Sequence, residues 1–243
     1  QSKHDHYEYS QSVRRRLGCQ RTDGTMNNGG GSVITGGIIL CGGKSSRMGW
    51  PKAILPFGPE LMLQRVARLV GEAVRPLVVV ASPQQELPPL PPEILVVRDR
   101  REGRGPLEGL CAGLEALRDR AAAAYATSCD VPLLVPQFVR VMIDRLGDHQ
   151  IAVPADGEFH HPLAAAYRTD VLPEIQLLLA ADRLRPQFLF ERVRTRRVSI
   201  EELRAADPDL QTLANLNQPV DYAAALQRAG FQLSAEVRRA LGL

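Results

Sequence analysis

The clearest structural signal lies between Val33 and Lys52, where the chain reads VITGGIILCGGKSSRMGWPK. Its first eight residues, 33–40, are apolar and rich in β-branched side chains, which is typical of a buried strand. Gly42 and Gly43 follow, and glycines at this point let the backbone turn sharply and come close to a ligand. The segment therefore predicts a buried strand that opens into a glycine-rich loop.

On the carboxyl side of this segment, apolar runs alternate with stretches of helical periodicity. The runs typical of strands are residues 76–81, 94–97, 122–128, 151–154, 163–167 and 193–198. Helical spacing marks residues 62–74, 107–120, 136–146, 172–181, 186–192 and 220–229. This alternation predicts an α/β fold, a Rossmann-like, doubly wound and mostly parallel sheet with helices on both faces.

Three candidate ligand-binding positions come just after predicted strands. They are Gly42, Asp99 and Asp130, each shortly beyond the end of an apolar run. In doubly wound sheets, ligands bind at the carboxyl ends of the strands. We therefore expect these three residues to belong to one site.

Basic residues accompany the glycine-rich loop. Arg47 and Lys52 place fixed positive charge near backbone amides that can point at phosphate oxygens, a combination suited to a triphosphate. The spacing is neither that of the P-loop nor that of the Gly-x-Gly-x-x-Gly dinucleotide fingerprint. From the residues alone, a glycine-rich turn with exposed basic side chains remains the alternative.

Length and composition limit the classes of function. The chain has 243 residues, a net charge of +3 and only 5% aromatic residues. We predict a disordered, polar tail over residues 1–31 and a single domain over residues 32–243. The low aromatic content disfavours a stacking surface for single-stranded nucleic acid, and no run approaches the roughly 18 apolar residues of a membrane span. We therefore expect neither a nucleic-acid partner nor a membrane partner.

The cysteines show no metal-ligand spacing. Cys19, Cys41, Cys111 and Cys129 form no Cys-x-x-Cys pair, and no histidine lies at zinc-ligand spacing from them. Reduced, mostly buried thiols are the expectation. Together with the lack of an apolar signal core near the first residue, this predicts a cytoplasmic protein.

The run from Leu40 to Lys52 resembles the signature of the nucleotidyltransferase superfamily that builds nucleotide sugars and cofactor nucleotides. That signature has Leu-Ala-Gly-Gly, then Ser-x-Arg-Met-Gly, then a lysine; here Cys41 replaces the usual alanine and Pro51 precedes the lysine. Later segments narrow the resemblance to the molybdenum cofactor guanylyltransferase family. They are Arg98-Asp99, GPLEG at 105–109, CDVP at 129–132, His161-Pro162 after the turn Asp156-Gly157, and NLNQPVD at 215–221.

This resemblance implies that GMP passes from GTP to the terminal phosphate of molybdopterin, the organic part of the molybdenum cofactor, with release of pyrophosphate. It implies Mg²⁺ as the cofactor, held by Asp130, and catalysis by Lys52, Arg47 and Asp130. The implied nucleotide contacts are Leu40, Gly42, Gly43, Lys52, Asp99, Gly105, Pro106, Leu107 and Asp130, and the implied acceptor contacts are His161, Asn215 and Asn217. A molybdoenzyme or a delivery chaperone is left open as a protein partner.

Alternatives remain open at this point. The same scaffold could serve a cytidylyltransferase for the same pterin or for a sugar or polyol phosphate, or a non-catalytic protein that binds and delivers molybdenum cofactor. Structurally, Asp130 could cap the following helix, Asp99 could be an ordinary loop residue, and residues 215–217 could form a turn without a ligand. Gln218 and Val220 stand where the family has threonine and glutamate.

Overall fold

One mixed β-sheet organises the chain. A computed structural model describes residues 34–42, 48–99 and 103–243. The strands are β1 (Thr35–Leu40), β2 (Pro56–Phe57), β3 (Glu60–Leu61), β4 (Leu77–Ala81), β5 (Leu95–Arg98), β6 (Ala123–Ser128), β7 (Ile151–Asp156), β8 (Phe159–His160), β9 (Ala164–Arg168) and β10 (Thr195–Ser199). The predicted tail, residues 1–31, lies outside the described residues, and the single domain over residues 32–243 stays a prediction.

Helices connect the strands. They are α1 (Met62–Gly71), α2 (Pro106–Leu117), α3 (Pro136–Asp144), α4 (Leu172–Ala180), α5 (Gln187–Phe190), α6 (Ile200–Leu203), α7 (Pro219–Arg228) and α8 (Ala235–Leu241). In the part of the chain that the structure describes, no helix is both long enough and apolar enough to cross a bilayer.

The main sheet has the strand order β10-β7-β9-β6-β1-β4-β5, with β8 paired to β7. Strand β1 runs parallel to β4 and β6, β5 runs parallel to β4, and β10 runs parallel to β7. Strand β9 is antiparallel to both of its neighbours, because a short connection through β8 returns the chain directly from β7. The predicted α/β fold with a mostly parallel sheet is confirmed.

Two apolar layers cover the sheet, because successive residues of β1 point to opposite faces. Ile39 belongs to the layer formed with Leu63 of α1 and Phe138 of α3, and all three side chains are fully buried. Ile38 belongs to the opposite layer, with Leu114 of α2. Burying each such side chain contributes roughly 1.5–3 kcal/mol. The strand ends are therefore fixed by packing from both sides.

A third apolar cluster joins the C-terminal helices to the segment after the glycine-rich loop. Leu55 and Phe57 belong to it, together with Tyr222 of α7 and Leu241 of α8. The Tyr222 hydroxyl also donates a hydrogen bond to the carbonyl of Pro56. The sequence predicted α7 but missed α8. A seven-residue helix gives little periodic signal, and tertiary packing supplies most of its stability.

Cys41 and Cys129 are buried thiols just beyond the ends of β1 and β6. The hydrogen bond between the two side chains, followed by burial, raises the pKa of Cys41 well above its usual value. At these two positions the expectation of buried, reduced thiols is confirmed.

Candidate active site

The carboxyl ends of β1, β5 and β6 meet at one edge of the sheet. Leu40, the last residue of β1, lies opposite Ser128, the last residue of β6. A Cβ atom on Gly42 would lie 3.0 Å from Asp99 Oδ2, which is tighter than ordinary van der Waals contact, so the backbone at Gly42 runs close to the Asp99 carboxylate. The sequence-based expectation that Gly42, Asp99 and Asp130 share an edge therefore agrees with the structure.

Lys52 and Asp130 form an ion pair at this edge. Lys52 begins a short 3-10 turn, Lys52–Ile54, and its Nζ lies 2.7 Å from Asp130 Oδ2. The Lys52 side chain is 17% exposed and that of Asp130 is 11% exposed. A pair this poorly solvated keeps a strong local field, because water screens it weakly. The ammonium group is nevertheless accessible enough to meet a phosphate.

Asp130 is held by its neighbours rather than serving as a helix cap. The Ser128 hydroxyl donates to Asp130 Oδ1 at 2.5 Å. Helix α3 begins only at Pro136, with Val135 at its N-cap, so the alternative role of Asp130 as the cap of that helix is wrong. Both carboxylate oxygens therefore face side chains of the site.

The Asn-rich loop is joined to the same edge. The Leu216 amide donates to the Asp130 carbonyl at 2.9 Å, and Lys52 Nζ donates to Asn217 Oδ1 at 3.3 Å. Asn215 lies in the same loop and is exposed. The structure thus brings Asn217 into contact with the lysine of the nucleotide site. The roles of both asparagines toward an acceptor stay predictions.

Asp221 fixes this loop. Its Oδ2 accepts hydrogen bonds from the amides of Asn217 at 3.1 Å and Gln218 at 2.9 Å. Asp221 lies in the first turn of α7, where a carboxylate satisfies otherwise unpaired amides and complements the helix dipole. The chain therefore fixes the loop with an aspartate although Gln218 and Val220 depart from the family pattern.

Asp99 has an unpaired buried oxygen. Its Oδ1 is buried and has no hydrogen-bond partner among the described residues. Burial, and then the charge of Glu108, raise the pKa of Asp99 above its usual value. A buried acceptor without a partner is costly to a protein and points to a ligand donor. This observation favours ligand contact over the alternative of an ordinary loop residue.

The segment 105–109 makes the turn into α2. Gly105 is exposed at the N-cap with φ +75°, and Pro106 is the first helical residue. Leu107 is fully buried, and a Cβ on Gly109 would lie 3.2 Å from the Leu40 side chain. The side chains of Leu107 and Leu40 thus belong to the core, and the nucleotide contacts of Leu40, Gly105, Pro106 and Leu107 stay predictions.

His161 lies in the connection between β7 and β9. Its amide donates to the Pro154 carbonyl at 3.0 Å, and its ring packs edge-on against Phe159, with 4.8 Å between the centroids. Burial lowers the pKa of His161, which favours the neutral imidazole. Ala164, the first residue of β9, pairs with Thr127 near the end of β6, so His161 lies toward the same edge of the sheet as Asp130, and its acceptor role stays a prediction.

Residues 43–47 of the glycine-rich loop, which include Gly43, Lys44 and Arg47, lie outside the described residues. The predicted nucleotide contact of Gly43 and the predicted catalytic role of Arg47 therefore stay predictions.

Sequence reasoning missed two residues that hold groups of this site: Ser128 and Asp221. Ser128 ends a strand directly before the Cys-Asp-x-Pro segment, and Asp221 lies two residues after a helix-initiating proline, so each had a weak local signal. Arg104, directly before the turn into α2, was also missed, because its contacts with Leu179 and Asp182 join segments far apart in sequence.

A separate cleft of about 810 Å³ lies away from the site. Its lining includes Arg68 and Gly71 of α1, Pro76 and Leu77 at the start of β4, and Pro89. The start of β4 belongs to the opposite edge of the parallel strands from Asp130. The volume of a cleft therefore does not by itself identify the active site.

The carboxylate oxygens of Asp130 fit one divalent cation whose remaining ligands come from substrate phosphates and water. No group of three or more His, Cys, Asp or Glu side chains with metal-site geometry occurs within residues 34–42, 48–99 and 103–243. Mg²⁺ is commonly held by one or two carboxylates together with substrate phosphates and water. A carboxylate has about four lone-pair sites, so Asp130 can coordinate an ion in addition to its hydrogen bonds.

The fold and the site together fit the nucleotidyltransferases, the enzyme class predicted from the sequence. The features that fit are the glycine at the strand end and the lysine–aspartate pair beside it. Residues 37–197 match the family described as the MobA-like NTP transferase domain, and the chain belongs to that family. The matched range contains Gly42, Lys52, Asp99 and Asp130.

Known proteins similar to the chain support this assignment. A Mycobacterium ulcerans (strain Agy99) protein named "Probable molybdenum cofactor guanylyltransferase" is 35% identical over 201 residues, covering 79% of this chain and 94% of that protein. The predicted resemblance to this family is confirmed.

Two solved structures share the fold. The Archaeoglobus fulgidus molybdopterin-guanine dinucleotide biosynthesis protein A matches with a TM-score of 0.66 and 19% identity, covering 81% of this chain and 99% of that one. A Mycobacterium tuberculosis H37Rv protein in complex with manganese matches with a TM-score of 0.50 and 19% identity, covering 69% and 88%.

Proposed function

We propose that this protein transfers GMP from GTP to the terminal phosphate of molybdopterin, forming the guanine dinucleotide form of the cofactor and releasing pyrophosphate. The observation that carries the proposal is the family match over residues 37–197, which contains the Lys52–Asp130 pair. The 35% identical relative, named for this activity, supports the choice of substrates.

The chemistry needs positioning and charge more than a covalent nucleophile. An oxygen of the acceptor phosphate attacks the α-phosphorus of GTP, and the bond from that phosphorus to the bridging oxygen of pyrophosphate breaks. The acceptor phosphate is ionised near neutral pH, so no general base is required. Lys52 would stabilise the charge that develops on the phosphates, and Gly42 would let the backbone approach them.

Enzymes of this class typically use a divalent metal ion. We propose that the ion is Mg²⁺ and that Asp130 holds it, with substrate phosphates and water as the other ligands. Such an ion neutralises charge on the phosphate oxygens when bound. The short contacts from Lys52 and Ser128 orient the Asp130 carboxylate for this role.

Recognition of the two substrates is divided along the sheet edge. The backbone of residues 105–109, with Asp99, would read the guanine base. Asn215, Asn217 and His161 would contact the pterin acceptor, and Arg47 and Gly43 would complete the triphosphate site. A molybdoenzyme or delivery chaperone as the recipient of the product, and a cytoplasmic location, stay predictions.

A turnover screen tests the proposal. Each of the four nucleoside triphosphates is supplied with Mg²⁺ and a molybdopterin acceptor, with and without molybdenum, and both pyrophosphate and the dinucleotide product are measured. GTP is expected to give the highest kcat/KM. Equal or faster turnover with CTP would assign the chain as a cytidylyltransferase, and binding of the cofactor without pyrophosphate release would indicate a delivery protein.

A further inference from the structure

Arg104 occupies an unusual position directly before the turn into α2. Glycines flank it on both sides, Gly103 with φ +80° and Gly105 with φ +75°. Glycine has more conformational freedom than any other residue, so ordering it costs more entropy. The backbone of residues 103–105 has little intrinsic preference for the observed conformation, so side-chain contacts must stabilise it.

The Arg104 side chain makes contacts on three sides. Its guanidinium donates to the Leu179 carbonyl at 2.6 Å, to Asp182 Oδ1 at 3.0 Å and to Glu108 Oε2 at 3.1 Å. The side chain is only 19% exposed, and that of Glu108 is 12% exposed. Hydrogen bonds between charged groups of this kind are roughly twice as strong as neutral ones.

These contacts tie the turn to the end of another helix. Leu179 lies in the last turn of α4, whose final carbonyls lack partners within the helix and attract cations. Asp182 follows that helix with a left-handed backbone, φ +57°. A Cβ on Gly105 would also lie 3.8 Å from the Leu184 carbonyl. Arg104 thus connects the turn to the segment that follows α4.

Arg104 also balances charge beside the nucleotide site. Glu108 lies in the first turn of α2, and its charge is one reason why the pKa of Asp99 is raised. Without Arg104, the carboxylate of Glu108 would stand uncompensated near a site that has to accept a polyanion. The Arg104 side chain therefore holds the turn in place through its hydrogen bonds and also neutralises the charge of Glu108.

We infer that Arg104 is a positioning residue, which holds residues 103–109 in the conformation that recognises the nucleotide base by anchoring them to the end of α4. The inference rests on the proposed function for the identity of the base. It predicts that base selectivity depends on a side chain whose own contacts are with Glu108 and the segment at the end of α4.

Arg104→Met is the main test, since it keeps the length of the side chain but removes its charge and donors. We expect the KM for GTP to rise about tenfold or more, a smaller fall in kcat, and a reduced preference for GTP over CTP, because the turn samples other conformations. Arg104→Lys keeps the charge with fewer fixed donors, so its values should lie between those of wild type and Arg104→Met.

Arg192→Met is the matched control. Arg192 donates to Glu174 in the first turn of α4 at 2.6 Å, at the opposite end of that helix from Leu179. It should leave the KM and the selectivity at wild-type values. Should Arg104→Met fail to fold, Asp182→Asn replaces it, because Asp182 is 78% exposed and the loss of its charge weakens one contact of Arg104 without opening the core. A several-fold rise in the KM for GTP is then expected.

Wild-type KM and base preference in Arg104→Met, with only a lower melting temperature, would overturn the inference and make the residue a structural anchor. The same result in Asp182→Asn would overturn it if Arg104→Met does not fold. Failure of the proposed function looks different, since wild type itself would then not transfer GMP to the pterin. In that case the KM comparison is made with the nucleotide that wild type does use.

Discussion

The ends of β1, β5 and β6 and the connection between β7 and β9 differ in how they are held. In the first region charged groups contact each other directly, with Lys52 2.7 Å from Asp130. In the second, His161 packs against the ring of Phe159, which is 64% exposed. The first region thus fixes its charges before a ligand arrives, while in the second burial favours a neutral His161 imidazole beside an exposed phenyl ring. From this comparison we propose that the strand ends mainly set the rate, whereas the connection contributes, together with the Asn-rich loop, to acceptor recognition.

The largest effect should come from Asp130→Asn, which keeps the size of the side chain but removes its negative charge. Turnover should fall about a hundredfold to a thousandfold, as for the loss of one electrostatic contact to a transition state. The concentration of Mg²⁺ needed for half-maximal rate should rise. Steady-state kinetics with Mg²⁺ titration checks this.

Asp148→Asn is the control for that variant, because the Asp148 side chain is 84% exposed and belongs to neither region. It should behave as wild type. Near-normal turnover of Asp130→Asn would show that the Asp130 carboxylate does not take part in catalysis. Loss of activity only through unfolding, seen as a large drop in melting temperature, would make it a structural residue.

Lys52→Ala should come next, with kcat/KM lowered roughly a hundredfold, because the ammonium group that meets the triphosphate is lost. The variant also leaves Asp130 without its cation, so binding of GTP should weaken and not only turnover. Lys52→Arg, which keeps the charge, should recover part of the rate. If Lys52→Ala retained wild-type affinity for GTP in a direct titration, the lysine would not contact the nucleotide.

Asp221→Ala tests how far the Asn-rich loop belongs to the first region. Removing an acceptor of two backbone amides at a helix start should cost about 1 kcal/mol of stability. Because Asn217 then loses its fixed position beside Lys52, the KM for the pterin should rise several-fold while that for GTP changes less. An unchanged KM for the pterin would show that the Asn-rich loop does not contribute to acceptor binding.

His161→Ala should have a smaller effect, confined to the acceptor. The KM for the pterin should rise a few-fold, with kcat and the KM for GTP near wild type, because we assign His161 to the acceptor and not to the triphosphate or the metal ion. Initial rates with each substrate varied in turn measure both constants. A large fall in kcat would contradict the division of roles between the two regions.

Asp99→Asn should raise the stability of the folded protein at neutral pH. Burial raises the pKa of Asp99 in the folded state, so between its unfolded and folded pKa values the folded protein binds more protons and stability falls as pH rises. At neutral pH the buried charge is fully destabilising, and Asp99→Asn should melt higher than wild type. The difference should shrink below the unfolded pKa near 4. Thermal melts at about pH 4 and pH 7 measure it, and a lower melting temperature at neutral pH would contradict this account.

The strand ends could be predicted from sequence because their signals are local. Gly42, Asp99 and Asp130 each follow an apolar run, and parallel pairing alone brings such positions to one edge. The family signature supplied Lys52, whose partner Asp130 is distant along the chain. Contacts such as Arg104 with the end of α4 could not be predicted, because hydrogen bonds between distant segments leave no periodic trace. Helix α8 was missed for a related reason, since it depends on packing against Tyr222 and its neighbours.

The central claim is the transfer of GMP, and isotopically labelled GTP tests it most directly. The wild-type protein is incubated with Mg²⁺, a molybdopterin acceptor and GTP labelled at either the α- or the γ-phosphate, with Asp130→Asn as the inactive reference. The account predicts that the α-label enters the pterin dinucleotide and that the γ-label leaves in pyrophosphate. Recovery of the α-label as free GMP, or of the γ-label as inorganic phosphate without labelled dinucleotide, would show hydrolysis and contradict the account.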